Sequence, residues 1–389
     1  SNWTQLESFA ATPALVPHDP ASARAKLYVA RDGSPAENID SVVDKLGGID
    51  RVVGANDVVL IKVAAQWWNQ GMTNVAAVKR MIERILERPG FSGEIIVFEN
   101  THFRMANGSG LSRAWVAESE RNVDVEGWKS LGDLRQHFEA GEAPVSFVGL
   151  VDGGGSLLSD DGWHDPEQIY GRYGGDERGP IEADDDRDGY RWDHDQVFEL
   201  ERSWFEHART PLSWPRFTSP RSGLVVDFKD GLFERKDGRL TAVDRKITWI
   251  NMTTCNEHAA TGLTAACKSR RGVVDMSAGW MGTHPLAREF RSVHYFGMGV
   301  PRAMWRMAGP LAHFATDVRA PDLIVTVAEW VAFTPEAEID GDIRHDALAA
   351  MQKRTVVAGT DPVAIDTWLC RHVMHDVPSR HHRERLDLD

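Results

Sequence analysis

Three short apolar runs near the start of the chain constrain its fold more than any other feature. They are Lys26–Ala30 (KLYVA), Asp57–Val63 (DVVLIKV) and Glu94–Phe98 (EIIVF). Each is too short for a stable helix, and the second and third show no polar alternation. Such runs are the pattern of strands buried on both faces, as in a parallel sheet. Two amphipathic stretches separate them. Pro35–Leu46 puts Ile39, Val42, Val43 and Leu46 on one face, with Ser34 as cap and Pro35 at the first helical position. Asn74 caps a second helix through Leu86, with Val75, Val78, Ile82 and Ile85 as its buried stripe. This order predicts an α/β fold: a mainly parallel sheet with helices on both faces.

At 389 residues the chain exceeds what one core usually holds, roughly 250–300 residues, so more than one unit is expected. Residues 1–25 read as a flexible N-terminal segment and 26–155 as a first α/β part. That part includes helices near Ser112–Arg121 and Leu131–Ala140 and a strand at Val145–Val151. From 156 to 245 the composition shifts to Asp, Gly, Arg, Tyr and Trp, which predicts an irregular acidic insertion or subdomain. Within it, Gly223–Lys229 has strand character, and two Asp-Gly dipeptides in Phe228–Ala242 signal hairpin turns. Residues 246–389 form a second α/β part, with strands at Ile247, Asp322–Val327 and Thr355–Ala358 and a closing helix over Asp361–Val373.

Several function classes fall away on composition. A net charge of −14 argues against nucleic acid as partner, since phosphate recognition needs clustered Lys and Arg. No apolar run approaches the ~18–20 residues of a membrane-spanning helix. Cys255, Cys267 and Cys370 are the three cysteines, with no CxxC pair, so no iron–sulfur cluster of ferredoxin type is expected.

Open parallel sheets bind ligands beyond the carboxyl ends of their strands, which here offers Lys62, the ENTH turn from Glu99 to His102, Asp152 with three glycines, Asn251–His258 and Gly359–Asp361. The stretch Ile247–Lys268 (ITWINMTTCNEHAATGLTAACK) carries most of the chemistry. It reads as strand, polar turn and helix. A helix beginning near Thr261 would put Thr261, Thr264 and Lys268 on one face, and its free N–H groups would suit an anion. Lys62 and Lys268 would then hold the anion, Glu257 and His258 would move a proton, and Asp361 would orient a lysine. His102, Asn251, Thr261 and Thr264 complete the expected small-molecule site. Each also has a plain structural role as cap, core residue or solvated side chain.

A separate motif concerns metal. Asp184–Asp195 (DDDRDGYRWDHD) reads DxDxDG with a carboxylate at position 12. In an EF-hand loop, Asp184, Asp186, Asp188, the Tyr190 carbonyl and Asp195 would bind Ca²⁺, with Gly189 at the turn. The amphipathic helix that must follow would use Val197, Leu200 and Trp204. Against the motif stand Arg191 at position 8 and the absence of an incoming helix. His258, His284, His294 and His313 offer transition-metal ligands without close HxH or HExxH spacing, the weaker of the two metal expectations.

Three blocks, VVLIKVAAQWWNQGMTN, ITWINMTTCNEHAATGLTAACKS and TVVAGTDPVAIDTW, resemble those of domain-of-unknown-function family 362, in the same order. The resemblance covers about Lys26 to Val373, apart from the insertion. It implies the α/β architecture and the place of the site rather than a reaction. Relatives often carry a lysine where this chain has Cys255-Asn256-Glu257-His258, and many carry a ferredoxin-like segment that this chain lacks. Some are exported by the twin-arginine route. The Ala/Pro-rich start to Ala23 therefore reads either as a mature chain whose export signal was removed, slightly favoured, or as a native flexible N-terminus.

The leading functional expectation is an enzyme acting on a small anionic or polar metabolite. A second is a calcium-stabilised, extracytoplasmic binding protein using Trp67 and Trp68 as contact surface. A third is transition-metal redox or isomerase chemistry through the histidines.

Overall fold

The structure is a computed structural model that describes residues 25–100, 113–150, 181–185, 188–202, 205–258, 262–275, 305–332, 337–339, 342–344 and 350–375. Strand β1 is Tyr28–Arg31, helix α1 Pro35–Leu46, β2 Val58–Lys62, α2 Val75–Leu86 and β3 Glu94–Glu99. These match the sequence expectations almost residue for residue. Ser34 caps α1 in a reciprocal capping box with Glu37, and Asn74 Oδ1 accepts from Ala77 N to cap α2. Helix α3 (Leu131–Glu139) and strand β4 (Val145–Gly149) follow. The helix expected near Ser112–Arg121 is only a 3₁₀ turn at Arg113–Trp115.

A second set of strands comes next: β5 (Gly189–Arg202), β6 (Phe205–Thr218), β7 (Val225–Asp227), β8 (Gly231–Lys236) and β9 (Arg239–Ala242). The chain then returns through β10 (Ile247–Thr254), the hairpin β11 (Asn256–His258) and β12 (Gly262–Thr264), and the short helix α4 (Ala266–Ser269). Helix α5 is Trp305–His313, β13 Leu323–Val331, β14 Ala337–Ile339, β15 Asp342–Arg344, β16 Met351–Gly359 and α6 Pro362–Leu369.

The main sheet has seven strands in the order β1-β16-β13-β10-β2-β3-β4. From β13 to β4 every neighbour is parallel, and only β16 runs against the rest, pairing antiparallel with both β13 and β1. Alternation along each strand divides the residues between two faces. Val59, Ile61, Ile95, Val97, Ile250 and Met252 pack against the apolar sides of α1, α2 and α3. Val58, Leu60, Ile96, Phe98 and Trp249 face the opposite way.

That opposite face corrects the expectation of helices on both sides. Over β2, β3 and β10 it is covered by Tyr190, Leu212, Trp214, Phe217, Val226, Phe228 and Leu232 of the second strand set, together with Phe314 and Leu311. Over β13 and β16 the cover is helical, through Ile365 and Leu369 of α6 and Ala266 of α4. The region expected to be irregular is, from 189 to 242, an antiparallel five-stranded sheet in the order β5-β6-β7-β8-β9. Ser219 and Ser222 both donate to Glu94, at 2.6 Å each, tying that sheet to the start of β3. The two Asp-Gly turns do join β7 to β8 and β8 to β9. No helix among the described residues is long and apolar enough to cross a membrane.

Candidate active site

Register places Lys62 of β2 beside Asn251 of β10, with Glu99 closing the neighbouring strand β3. Lys62 follows Val58 and Leu60 in alternation, so it emerges on the face covered by the second sheet. Its Nζ lies 3.2 Å from Glu99 Oε2, and the two side chains are 4% and 3% exposed. Lys62 Nζ also donates to Ser269 Oγ at 3.2 Å, and Ser269 Oγ donates to Asn251 Oδ1 at 2.9 Å. Backbone N–H groups of Ala65 and Asn100 donate to the two Glu99 oxygens, each at 3.0 Å. Lys62, Glu99, Ser269 and Asn251 thus form one continuous buried network.

The lid on this network is the segment after α4. Asn100 N donates to Gly272 O at 3.2 Å, and Asn100 Nδ2 donates to Val274 O at 2.9 Å. Trp192 Nε1 of β5 holds Asp275 at 2.7 Å. Gly272 packs so closely that a Cβ there would sit 2.3 Å from Glu99 Oε1 and 2.7 Å from Lys62 Cε. A methyl group there would have to displace both side chains of the pair.

Burial dominates the electrostatics. It lowers the Lys62 pKa, Glu99 pulls it back up, and Arg271 adds a smaller downward push. Burial likewise raises Glu99, against the opposing pull of Lys62 and the backbone N–H donors. Both partners are displaced toward their neutral forms, which narrows the gap between a proton on lysine and one on glutamate.

The other expected residues are placed as follows. Helix α4 begins at Ala266, later than the helix expected from Thr261, and Gly262–Thr264 is instead strand β12, paired antiparallel with β11. Thr264 and Lys268 therefore share no helix face, although Lys268 Nζ still donates to Thr264 Oγ1 at 2.9 Å. Glu257 and His258 lie on β11, and the Glu257 side chain is buried. Asp361 caps α6, its Oδ1 accepting from Val363 N and Ala364 N. Because β16 runs antiparallel, its carboxyl end is not the carboxyl edge of the parallel strands. The carboxylate of α6 that reaches the α4 region is Asp366, which accepts from Ala266 N at 2.8 Å and Cys267 N at 3.0 Å. Burial raises Asp366 to about 6 and pushes the neighbouring Cys267 thiol up. His102, Thr261, His284, His294 and the Asp152 glycine turn lie outside the described residues.

Loop 66–74 is held by side-chain amides. Asn122 Nδ2 donates to Asn69 O at 3.2 Å and Met72 O at 3.1 Å, while its Oδ1 accepts from Trp330 N at 3.2 Å. Asn256 Nδ2 donates to Gln70 O at 2.5 Å. Trp68 is 8% exposed and part of the core, so it is not a contact surface.

The helix expected after the Asp184–Asp195 loop does not form. Residues 189–202 are a strand, not a turn followed by a helix. At roughly 3.3 Å per residue, Gly189 to Asp195 extends about 20 Å, whereas one Ca²⁺ gathers its ligands within about 2.6 Å. The Tyr190 carbonyl accepts from Ile181 N at 2.8 Å, and Asp188 accepts from Thr218 Oγ1 at 2.8 Å. Asp184 is exposed in a turn, and Asp186 lies outside the described residues. Among the described residues no group of three or more His, Cys, Asp or Glu could hold a metal ion.

Sequence reasoning missed Ser269, Gly272 and Asp366 and did not single out Glu99 or Asn100 from the ENTH turn. A carboxylate ending EIIVFE beside a lysine ending VVLIK was a readable signal for the pair. Ser269 and Gly272 carried none, because their roles arise from long-range contact.

No family model matches the chain, and no curated protein matches it. Among solved structures it is similar to the crystal structure of a Thermotoga maritima protein determined by a structural-genomics consortium, at 10% identity and a TM-score of 0.32. The alignment covers 83% of this chain and 56% of that one. At that score the likeness bears on neither fold nor function.

Proposed function

We propose that the protein is an enzyme that moves a proton on a small anionic or polar metabolite, with Lys62 and Glu99 as the proton-handling pair. The carrying observation is the buried Lys62–Glu99 contact at the carboxyl ends of adjacent parallel strands, with both groups displaced toward neutrality. A pair tuned in this way suits general acid–base work, and strand carboxyl ends are where open parallel sheets bind ligands. Glu257 and His258, on the hairpin directly after β10, serve in this reading as a second proton-carrying set. Lys268 supplies positive charge, and Asp361 leaves the proposed machinery because it caps its own helix. The three blocks that resemble family 362 contribute β2, β10 with α4, and β16 with α6, which supports proposing membership of that family.

Thermal-shift measurements with a panel of small carboxylates, phosphate esters and polar metabolites test the reading. At least one compound should raise the wild-type Tm by several degrees and leave Lys62→Met unshifted. A panel that stabilises neither protein, or both equally, contradicts it.

A further inference from the structure

The contacts around Ser269 have the arrangement of an activated nucleophile. Its hydroxyl lies 3.2 Å from a buried lysine nitrogen, and that nitrogen lies 3.2 Å from a buried carboxylate. A nucleophile within hydrogen-bond reach of a base, which a third group orients in turn, is the general signature of covalent catalysis. A second, independent observation concerns Asn251. Its Oδ1 accepts from Ser269 Oγ at 2.9 Å, yet its Nδ2 has no hydrogen-bond partner among the described residues, although the residue is fully buried. An unpaired buried donor is costly in a merely structural site. Beside a nucleophile it is a ready donor for a developing oxyanion.

We propose that Ser269 is a nucleophile for acyl transfer, with Lys62 as its base, Glu99 positioning Lys62, and the Asn251 amide N–H stabilising the oxyanion. The inference rests on the enzyme reading above and assigns it a substrate class, small carboxylic esters. In the resting pair one proton is shared between Lys62 and Glu99. With that proton on Glu99, Lys62 Nζ is neutral; the Ser269 hydroxyl turns its proton from Asn251 Oδ1 to Lys62 Nζ, 3.2 Å away, and gives it up there. Oγ then bonds to the ester carbonyl carbon, and the carbonyl oxygen becomes an oxyanion facing Asn251 Nδ2. Collapse breaks the bond from carbon to the leaving oxygen, which takes the proton from Lys62 and departs as an alcohol. Water completes the cycle: it gives a proton to Lys62, bonds to the acyl carbon and releases the carboxylic acid. Ser269 Oγ leaves with the proton held on Lys62.

The distances also explain the cover. Asn100, Gly272 and Val274 pack over the buried Lys62–Glu99 pair, and a low local dielectric strengthens the interactions on which the step depends. Glu99 touches no reacting atom. Its role is to hold Lys62 toward Ser269 and to take its proton.

The test treats the full chain with p-nitrophenyl acetate and, separately, with an alkyl fluorophosphonate, followed by intact-mass measurement and peptide mapping. The expected result is one adduct per chain, on Ser269, absent from Ser269→Ala. Lys62→Met should slow its formation by on the order of 10²–10⁴-fold. Glu99→Gln should move the pH profile of labelling, which a purely structural role would leave in place. Should Lys62→Met fail to fold, Ser269→Cys serves instead: it should label with its pH profile shifted toward thiol ionisation. No adduct, or an adduct that persists in Ser269→Ala, overturns the inference. If no adduct forms while the metabolite panel still stabilises wild type and not Lys62→Met, acyl transfer falls and the broader enzyme reading stands. If the panel fails as well, both fall.

Discussion

Replacing Glu329 with glutamine isolates one buried carboxyl whose energetic effect follows from its surroundings. Glu329 lies on β13, 1% exposed, with Gln352 Nε2 donating to its Oε1 at 2.8 Å. Its other oxygen, Oε2, has no hydrogen-bond partner among the described residues. Burial, reinforced by Asp124 and opposed by Gln352 and Arg354, raises its pKa from 4.5 to about 7. A group whose folded pKa lies above its unfolded value stabilises fully below the unfolded pKa, and loses that contribution as pH rises through the folded pKa. Here the window runs from about pH 4.5 to 7. At about 1.36 kcal/mol per pKa unit the full displacement corresponds to roughly 3 kcal/mol, and partial relaxation leaves roughly 2–3. Glutamine keeps the acceptor for Gln352 and cannot ionise. Denaturant unfolding of wild type and Glu329→Gln at pH 4.5 and 8.5 should show near-equal stability at the lower pH. The variant should be more stable by about 2–3 kcal/mol at the higher. Asp366 and Glu99 shift in the same direction in both proteins, so the difference between the two isolates Glu329. A gap that does not widen with pH would refute the reasoning.

Gly272→Ala should cost at least about 2 kcal/mol and abolish ligand effects at Lys62, because the added methyl overlaps both members of the pair. Gly309→Ala is its control: nothing lies within 4 Å of a Cβ in that helix, so stability should rise by about 0.5–1 kcal/mol in the same unfolding assay. Asn122→Ala removes the bridge between loop 66–74 and Trp330 of β13 and should cost about 2–4 kcal/mol. Hydrogen exchange of that variant should show the loss of protection confined to the Asn69–Met72 loop and the end of β13.

The first half of the main sheet was legible because local and global preferences agree there. Ser34 and Asn74 cap helices whose apolar stripes face strands that are apolar throughout, and nothing in the fold overrides them. The second sheet was illegible for a definite reason. The acidic loop pattern of Asp184–Asp195 led to a loop followed by a helix, whereas the chain enters a strand at Gly189, and its pairing with β6 is a long-range contact that local spacing does not show. Pro211 and Pro215 further disguised β6, which nevertheless pairs through both of them with β5. Helix α4 was anticipated too early, on the spacing of Thr261, Thr264 and Lys268, because Gly262–Thr264 finds its backbone partners across strand β11 instead. Reading the carboxyl ends of strands as one edge succeeded for Lys62 and Asn251 and failed for Asp361, since sequence does not reveal that β16 runs in reverse.

The central claim is that Lys62 is a buried lysine sharing its proton with Glu99. Selective ¹³Cε labelling of lysines, with a pH titration followed by NMR and the Lys62 resonance assigned through Lys62→Met, measures this directly. The account predicts that Lys62 titrates below the other lysines and that its midpoint moves in Glu99→Gln. A Lys62 resonance that titrates with the surface lysines and ignores Glu99→Gln would contradict it.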